Sequence, residues 1–182
     1  VMGRHAGWIA AAAGLAQQDE SQAPHIILMP ERPIDPDALM AKVKHAVECH
    51  GFCTIVASEG IKNAQGEFLA EAGGQDAFGH KQLGGVAPVL ASMIQARLGY
   101  KYHWAVADYL QRSARHIASK TDVDQAYALG QAAVNAAMQG QNQVMVNIVR
   151  DSTSPYQWHI DQVPLASVAN IEKTLPDDFI SQ

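Results

Sequence analysis

Two short apolar runs, each closed by a polar stop and separated by a helical stretch, constrain this chain more than any other feature. His25-Ile26-Ile27-Leu28-Met29 stops at Pro30, and Phe52 to Ala57 stops at Ser58-Glu59-Gly60. Continuous apolar runs of this length suit strands buried on both faces, the habit of parallel sheet. Between them Pro36 and Asp37 open a helix with apolar positions at Leu39, Met40, Val43 and Val47, and Gly51 ends it. Before them Ile9-Ala10-Ala11-Ala12-Ala13-Gly14-Leu15-Ala16 reads as helix, since Ala, Leu and Ile dominate without a Pro. The helix–strand–helix–strand alternation predicts an α/β fold, a three-layer parallel sheet with helices on both faces.

The rest of the chain extends the pattern. Lys62 to Lys81 is polar and rich in Gly and Ala, an excursion with a small hairpin around Gln65-Gly66. Gly84-Gly85 precede a helix from about Val86 to Arg97 that Gly99 closes. Tyr102 to Tyr109, aromatic and β-branched, is a third strand candidate. Thr121-Asp122-Val123-Asp124 opens the longest amphipathic segment, to Met138, with acidic residues in its first turn. Val144 to Val149 reads as a strand, Tyr156 to Val163 as a strand pairing back past Pro155, and Leu165 to Leu175 as a short helix.

Composition narrows the function classes. With 182 residues, 48% apolar and 17% charged, the chain is globular and long enough for a real core. A net charge of −5 argues against a nucleic-acid partner. No apolar run approaches the roughly 20 residues of a membrane span, and no secretory signal is visible, so no membrane partner and a cytoplasmic location are expected. Cys49 and Cys53 are too few for a disulfide framework and lack zinc spacing, so both are expected to be reduced thiols.

Polar residues gather where ligands bind in open parallel sheets, outside the carboxyl ends of strands. Met2-Gly3-Arg4 precedes the first helix. Gly3 permits close backbone approach, Arg4 offers a planar fork of donors, and a helix N-terminus favours a phosphate; a plain turn with a solvated Arg is the alternative. Glu59 follows the second strand, where a carboxylate can accept from two adjacent sugar hydroxyls; a capping or solvated Glu is the alternative. Tyr109 and Arg112 follow the third candidate strand and suit a phosphate, with Arg115 and His116 adding positive charge nearby. Two cationic sites and one anionic site in one chain favour a phosphorylated sugar.

Met2-Gly3-Arg4, Ser58-Glu59-Gly60 and Tyr109-Leu110-Gln111-Arg112 resemble, in the same order, the fructose 6-phosphate site of 6-phosphofructokinases. The resemblance runs residue by residue over about the first two-thirds of the chain and by layout beyond it. It implies a Rossmann-like phosphofructokinase lobe. Met2, Gly3 and Arg4 would touch the sugar, Arg4 would also act catalytically on the phosphoryl group in flight, Glu59 would bind sugar hydroxyls, and Tyr109 and Arg112 would hold the 6-phosphate. ATP-using bacterial members usually carry Gly-His-Ile-Gln-Arg-Gly-Gly where this chain has Asp108-Tyr109-Leu110-Gln111-Arg112-Ser113-Ala114. Tyr109, and Phe78-Gly79-His80-Lys81-Gln82-Leu83-Gly84-Gly85, are more like the pyrophosphate-dependent branch, so pyrophosphate rather than ATP is the expected donor. Many members place an Arg from a neighbouring subunit upstream of the last motif; here that position is His103, with Lys101 two residues earlier.

The family's Gly-Gly-Asp donor turn and Thr-Ile-Asp base segment precede its Met-Gly-Arg motif, where this chain starts. The expectation is therefore that residues 1–182 are the C-terminal, fructose 6-phosphate-binding portion of a phosphofructokinase. The N-terminal donor lobe would be absent, and the chain alone would be inactive. Mg²⁺ is implied for the parent enzyme, with its ligands in that missing half, and a homo-oligomer is expected. An ATP-dependent enzyme and a non-catalytic sugar-phosphate module are the rival readings; a ligand-free interaction domain is a third.

Overall fold

The computed structural model describes residues 1–75, 81–83, 85–107 and 109–180. They form two compact units, Val1–Gln111 with Glu172–Gln182, and Arg112–Ile171.

The first unit is built as the apolar periodicity requires. Helix α1 spans Trp8–Ala12 and tightens into a 3₁₀ turn over Ala13–Ala16. Strand β1 is Ile26–Leu28, and helix α2 runs Pro36–His50. Asp35 caps α2, its side chain accepting from Asp37 N at 2.9 Å and Ala38 N at 3.1 Å. Gly51 ends it in the left-handed region at φ 81°, where a side chain would be strained. Strand β2, Ile55–Ala57, pairs parallel with β1 in the register Ile26↔Ile55, Ile27↔Val56 and Leu28↔Ala57. Helix α3, Val86–Leu98, supplies Val86 and Leu90 to a core shared with Ile26, Ile34, Leu39, Met40, Val43 and Ile61. Cys49 is exposed on α2, whereas Cys53 is half-buried and burial pushes its thiol up. Iodoacetamide at pH 8 is therefore expected to label Cys49 at least about tenfold faster than Cys53, read by peptide mass spectrometry.

The expected hairpin around Gln65-Gly66 is present as one antiparallel bridge, Lys62↔Phe68. The Asn63 carboxamide oxygen accepts from Gln65 N at 3.0 Å and Glu67 N at 2.9 Å. Strands β3, Glu71–Gln75, and β4, Lys81–Leu83, pair antiparallel, where the sequence predicts only a Gly- and Ala-rich excursion. Phe78, Gly79, His80, Gly84 and Asp108 lie outside the described residues.

Two expectations are corrected. The third strand at Tyr102 to Tyr109 is not present: described residues 101–107 carry no strand. A strand exists only where a neighbour completes its ladder, and aromatic, β-branched composition cannot supply that partner. Accordingly every described sheet is two-stranded, and the one parallel pair is β1–β2. The mixed α/β class holds. The short helix expected over Leu165 to Leu175 is a 3₁₀ turn at Leu165–Ser167, and residues 168–175 are not helical.

The second unit holds α5, Lys120–Met138, and an antiparallel hairpin of β5, Val144–Thr153, and β6, Tyr156–Pro164. Ser119 caps α5 by accepting from Asp122 N at 3.0 Å, and Lys120 pairs with Asp124, so the acidic pair belongs to a helix start. The pairing back of Tyr156 to Val163 onto Val144 to Val149 is as the turn at Pro155 predicts. Gln125 Nε2 donates to the Tyr156 hydroxyl at 2.7 Å, tying helix to hairpin.

Candidate functional site

Successive residues of a strand point their amides to opposite edges. Directly after β2, Ser58 still faces β1, its N–H donating to Leu28 O at 2.9 Å. Ala57 and Glu59 face the other edge, and there the first residues of the chain lie alongside. Val1 N donates to Ala57 O at 2.8 Å, Glu59 N to Val1 O at 2.9 Å, and Gly60 N to Gly3 O at 3.1 Å. The Met-Gly-Arg segment and the Ser-Glu-Gly segment are thus neighbours at the carboxyl end of the parallel pair.

Side chains reinforce this junction. Ser58 is fully buried and its hydroxyl donates to Gly3 O. Gly3 N donates to Glu59 Oε1 at 3.2 Å. Gly3 adopts φ +139°, and a Cβ there would lie 2.6 Å from both Ala6 O and Ser58 Oγ. Gly60 is tighter still: a Cβ would lie 1.7 Å from Arg4 O and 2.4 Å from its carbonyl carbon. Gly60 is therefore demanded by close passage of the two backbones, and Gly3 by its positive φ and by the crowding of Ala6 O and Ser58 Oγ. The third motif reaches the same place, for Met2 N donates to Gln111 Oε1 at 3.0 Å.

The sequence-derived residues fall out as follows. Met2, Gly3 and Arg4 are half-buried in the junction, and Glu59 sits in it, half-buried. Glu59 is neither a helix cap nor simply solvated: one oxygen holds the Gly3 amide, and a carboxylate has further lone pairs to offer. Tyr109 is 64% exposed in the turn entering α4, Leu110–Ser113. Arg112 is exposed on α4 and is the first residue of the second unit. Lys101 and His103 are exposed in irregular chain. Sequence reasoning passed over Ser58, Gly60 and Gln111, each inside a motif it quoted; small residues flanking a Glu were the available signal. Helix α1 starts at Trp8 and has no side-chain cap, and the N–H of Gly7 before it is taken by Glu31 Oε1 at 2.8 Å.

Among the described residues no group of three or more His, Cys, Asp or Glu could hold a metal ion. No described helix is long and apolar enough to cross a membrane.

Residues 1–137 match the family model described as Phosphofructokinase. The whole chain aligns with the pyrophosphate--fructose 6-phosphate 1-phosphotransferases of Methylococcus capsulatus, at 59% identity, and Halomonas elongata, at 60%, covering 43% of each relative. The structure superposes over its full length on the pyrophosphate-dependent phosphofructokinase of Marinobacter aquaeolei, at a TM-score of 0.83 and 50% identity, covering 42% of that chain. The chain thus spans less than half the length of the relatives it matches. With a family model over three-quarters of its length, this chain belongs to the phosphofructokinase family.

Proposed function

We propose that this chain is the fructose 6-phosphate-binding portion of a pyrophosphate-dependent 6-phosphofructokinase. One observation carries the reading: three segments far apart in sequence are tied by hydrogen bonds, backbone to backbone and backbone to side chain, at the carboxyl end of the parallel β1–β2 pair. Strand ends of parallel sheet are where such folds bind ligands. The names of the 59% and 60% identical relatives support pyrophosphate as donor, as does Tyr109. We read β1–β2 as part of a three-layer parallel sheet in the intact protein, supported by the likeness to the Marinobacter aquaeolei structure.

The reaction is displacement at phosphorus. The 1-hydroxyl oxygen of the sugar forms a bond to one phosphorus of pyrophosphate, the bridging P–O bond breaks, phosphate leaves, and the hydroxyl proton passes to a base. Such chemistry rests on positioning and charge neutralisation. Glu59 accepts from sugar hydroxyls, Met2 and Gly3 line the sugar, and Tyr109 and Arg112 hold the 6-phosphate. Arg4 offsets charge on the moving group. The base belongs to the length of the relatives that this chain does not span. Among the described residues no group of three or more His, Cys, Asp or Glu could hold Mg²⁺, whose ligands belong, like the base, to the length of the relatives that this chain does not span. The intact protein is read as a cytoplasmic homo-oligomer.

Arg112→Ala in the intact enzyme is expected to raise the KM for fructose 6-phosphate about 10- to 100-fold, at 1.5–3 kcal/mol for a charge-assisted hydrogen bond, and to leave that for pyrophosphate within about twofold. Arg112→Lys restores part of the loss, because an ammonium lacks the fork. A coupled assay for fructose 1,6-bisphosphate with each substrate varied in turn checks this. Equal effects on both substrates contradict the assignment, and turnover with ATP but not pyrophosphate contradicts the donor.

A further inference from the structure

The turn from Gly3 to Trp8 is gripped at both ends, and only one grip comes from the motifs above. At its start Gly60 presses on the Arg4 carbonyl. At its end the grip is Glu31, just past β1. Glu31 Oε1 accepts from Gly7 N at 2.8 Å and, from the other end of the chain, Leu175 N at 2.9 Å. The second oxygen, Oε2, is buried without a hydrogen-bond partner among the described residues, an expensive state for a carboxylate. Gly7 is buried against the same group, since a Cβ would lie 2.9 Å from Oε2 and 2.8 Å from Met29 Cβ.

Leu175 belongs to a segment that lands repeatedly on this turn. Glu172 pairs with His5, the residue after Arg4. Lys173 O accepts from Trp8 Nε1 at 2.7 Å. Asp177 meets Arg32 at 3.1 Å, and Phe179 stands edge-on to Trp8 at 6.2 Å. Leu175 itself is 3% exposed. The segment lies beyond residues 1–137, the span the family model matches.

We propose that residues 172–179 form a strap, keyed by the Glu31 carboxylate, that positions Arg4 for the phosphoryl group in flight; the proposal rests on the reading of Arg4 given above. Glu31, His5 and Trp8 act through Arg4 and are positioning residues. Misplacing a charge-stabilising group by about an ångström costs on the order of 10²-fold in rate, so a partial release of this turn costs less.

A double-mutant cycle in the intact enzyme tests it. Glu31→Ala is expected to lower kcat about tenfold with the KM for fructose 6-phosphate unchanged within about twofold. Glu31→Gln keeps the acceptor for both amides and returns kcat to within about threefold of the parent. In an Arg4→Ala background, Glu31→Ala lowers kcat by less than about twofold, because the group it positions is gone. Should Glu31→Ala not fold, Trp8→Phe removes the indole N–H to Lys173 O together with part of the ring that meets Phe179; it is expected to cost about threefold in kcat, and nothing once Arg4 is Ala. Equal losses in both backgrounds, the signature of a mere folding defect, overturn the strap and leave Arg4 in place. An unchanged kcat in Arg4→Ala alone overturns the reading of Arg4, and the strap falls with it.

Discussion

Replacing Gly60 by Ala is expected to lower kcat/KM for fructose 6-phosphate about 100-fold while α2 and α3 stay folded. The new methyl carbon would lie 1.7 Å from Arg4 O and 2.7 Å from Arg4 Cα, and neither can swing aside as a flexible side chain would. The backbone of the Met-Gly-Arg segment must move outward, stretching the Gly60 N to Gly3 O bond and the Gly3 N to Glu59 bond together. Overpacking of this kind costs about 1–3 kcal/mol of stability, and the loss expected beyond it is one of site geometry. Steady-state kinetics beside a urea melt separate the two. Gly130→Ala is the control, since nothing lies within 4 Å of a Cβ there. A Gly60→Ala enzyme with normal kinetics would mean that the junction does not shape the sugar site.

Arg4→Ala is expected to lower kcat by about 10²–10³-fold, the scale of losing one preorganised charge-stabilising donor, and to leave the KM for fructose 6-phosphate within about threefold. The split follows from the proposed role: an interaction made only with the group in flight is absent from the ground state, so its loss is felt in turnover. Arg4→Lys regains part of the rate through its charge and not through the planar fork. A pure KM effect would place Arg4 on the ground-state sugar phosphate instead.

Much of this was legible before any coordinates. Asp35 and Pro36 start α2 and Gly51 stops it, each by a local mechanism that a sequence displays. β1 and β2 announce themselves as apolar runs because both faces are covered. What sequence could not show is whatever depends on a distant partner. The aromatic run at 102–107 has strand composition but no ladder. β3 and β4 form from Glu-Ala-Gly-Gly-Gln and Lys-Gln-Leu, with little intrinsic strand preference. The expected helix before Leu175 gives way to a segment whose Glu172, Lys173 and Leu175 are committed to His5, Trp8 and Glu31. Likewise the motif residues were readable as types, whereas their junction was not. Ser58, Gly60 and Gln111 matter through backbone atoms of residues 2–4, and nothing in their identities names those partners.

Hydrogen–deuterium exchange on the intact protein, with and without fructose 6-phosphate, tests the central claim most directly. The account predicts protection at residues 2–8, 58–61 and 109–113 together, with the β5–β6 hairpin at 144–164 unaffected. Protection that appears elsewhere and leaves these three segments exchanging as in the free protein would contradict it.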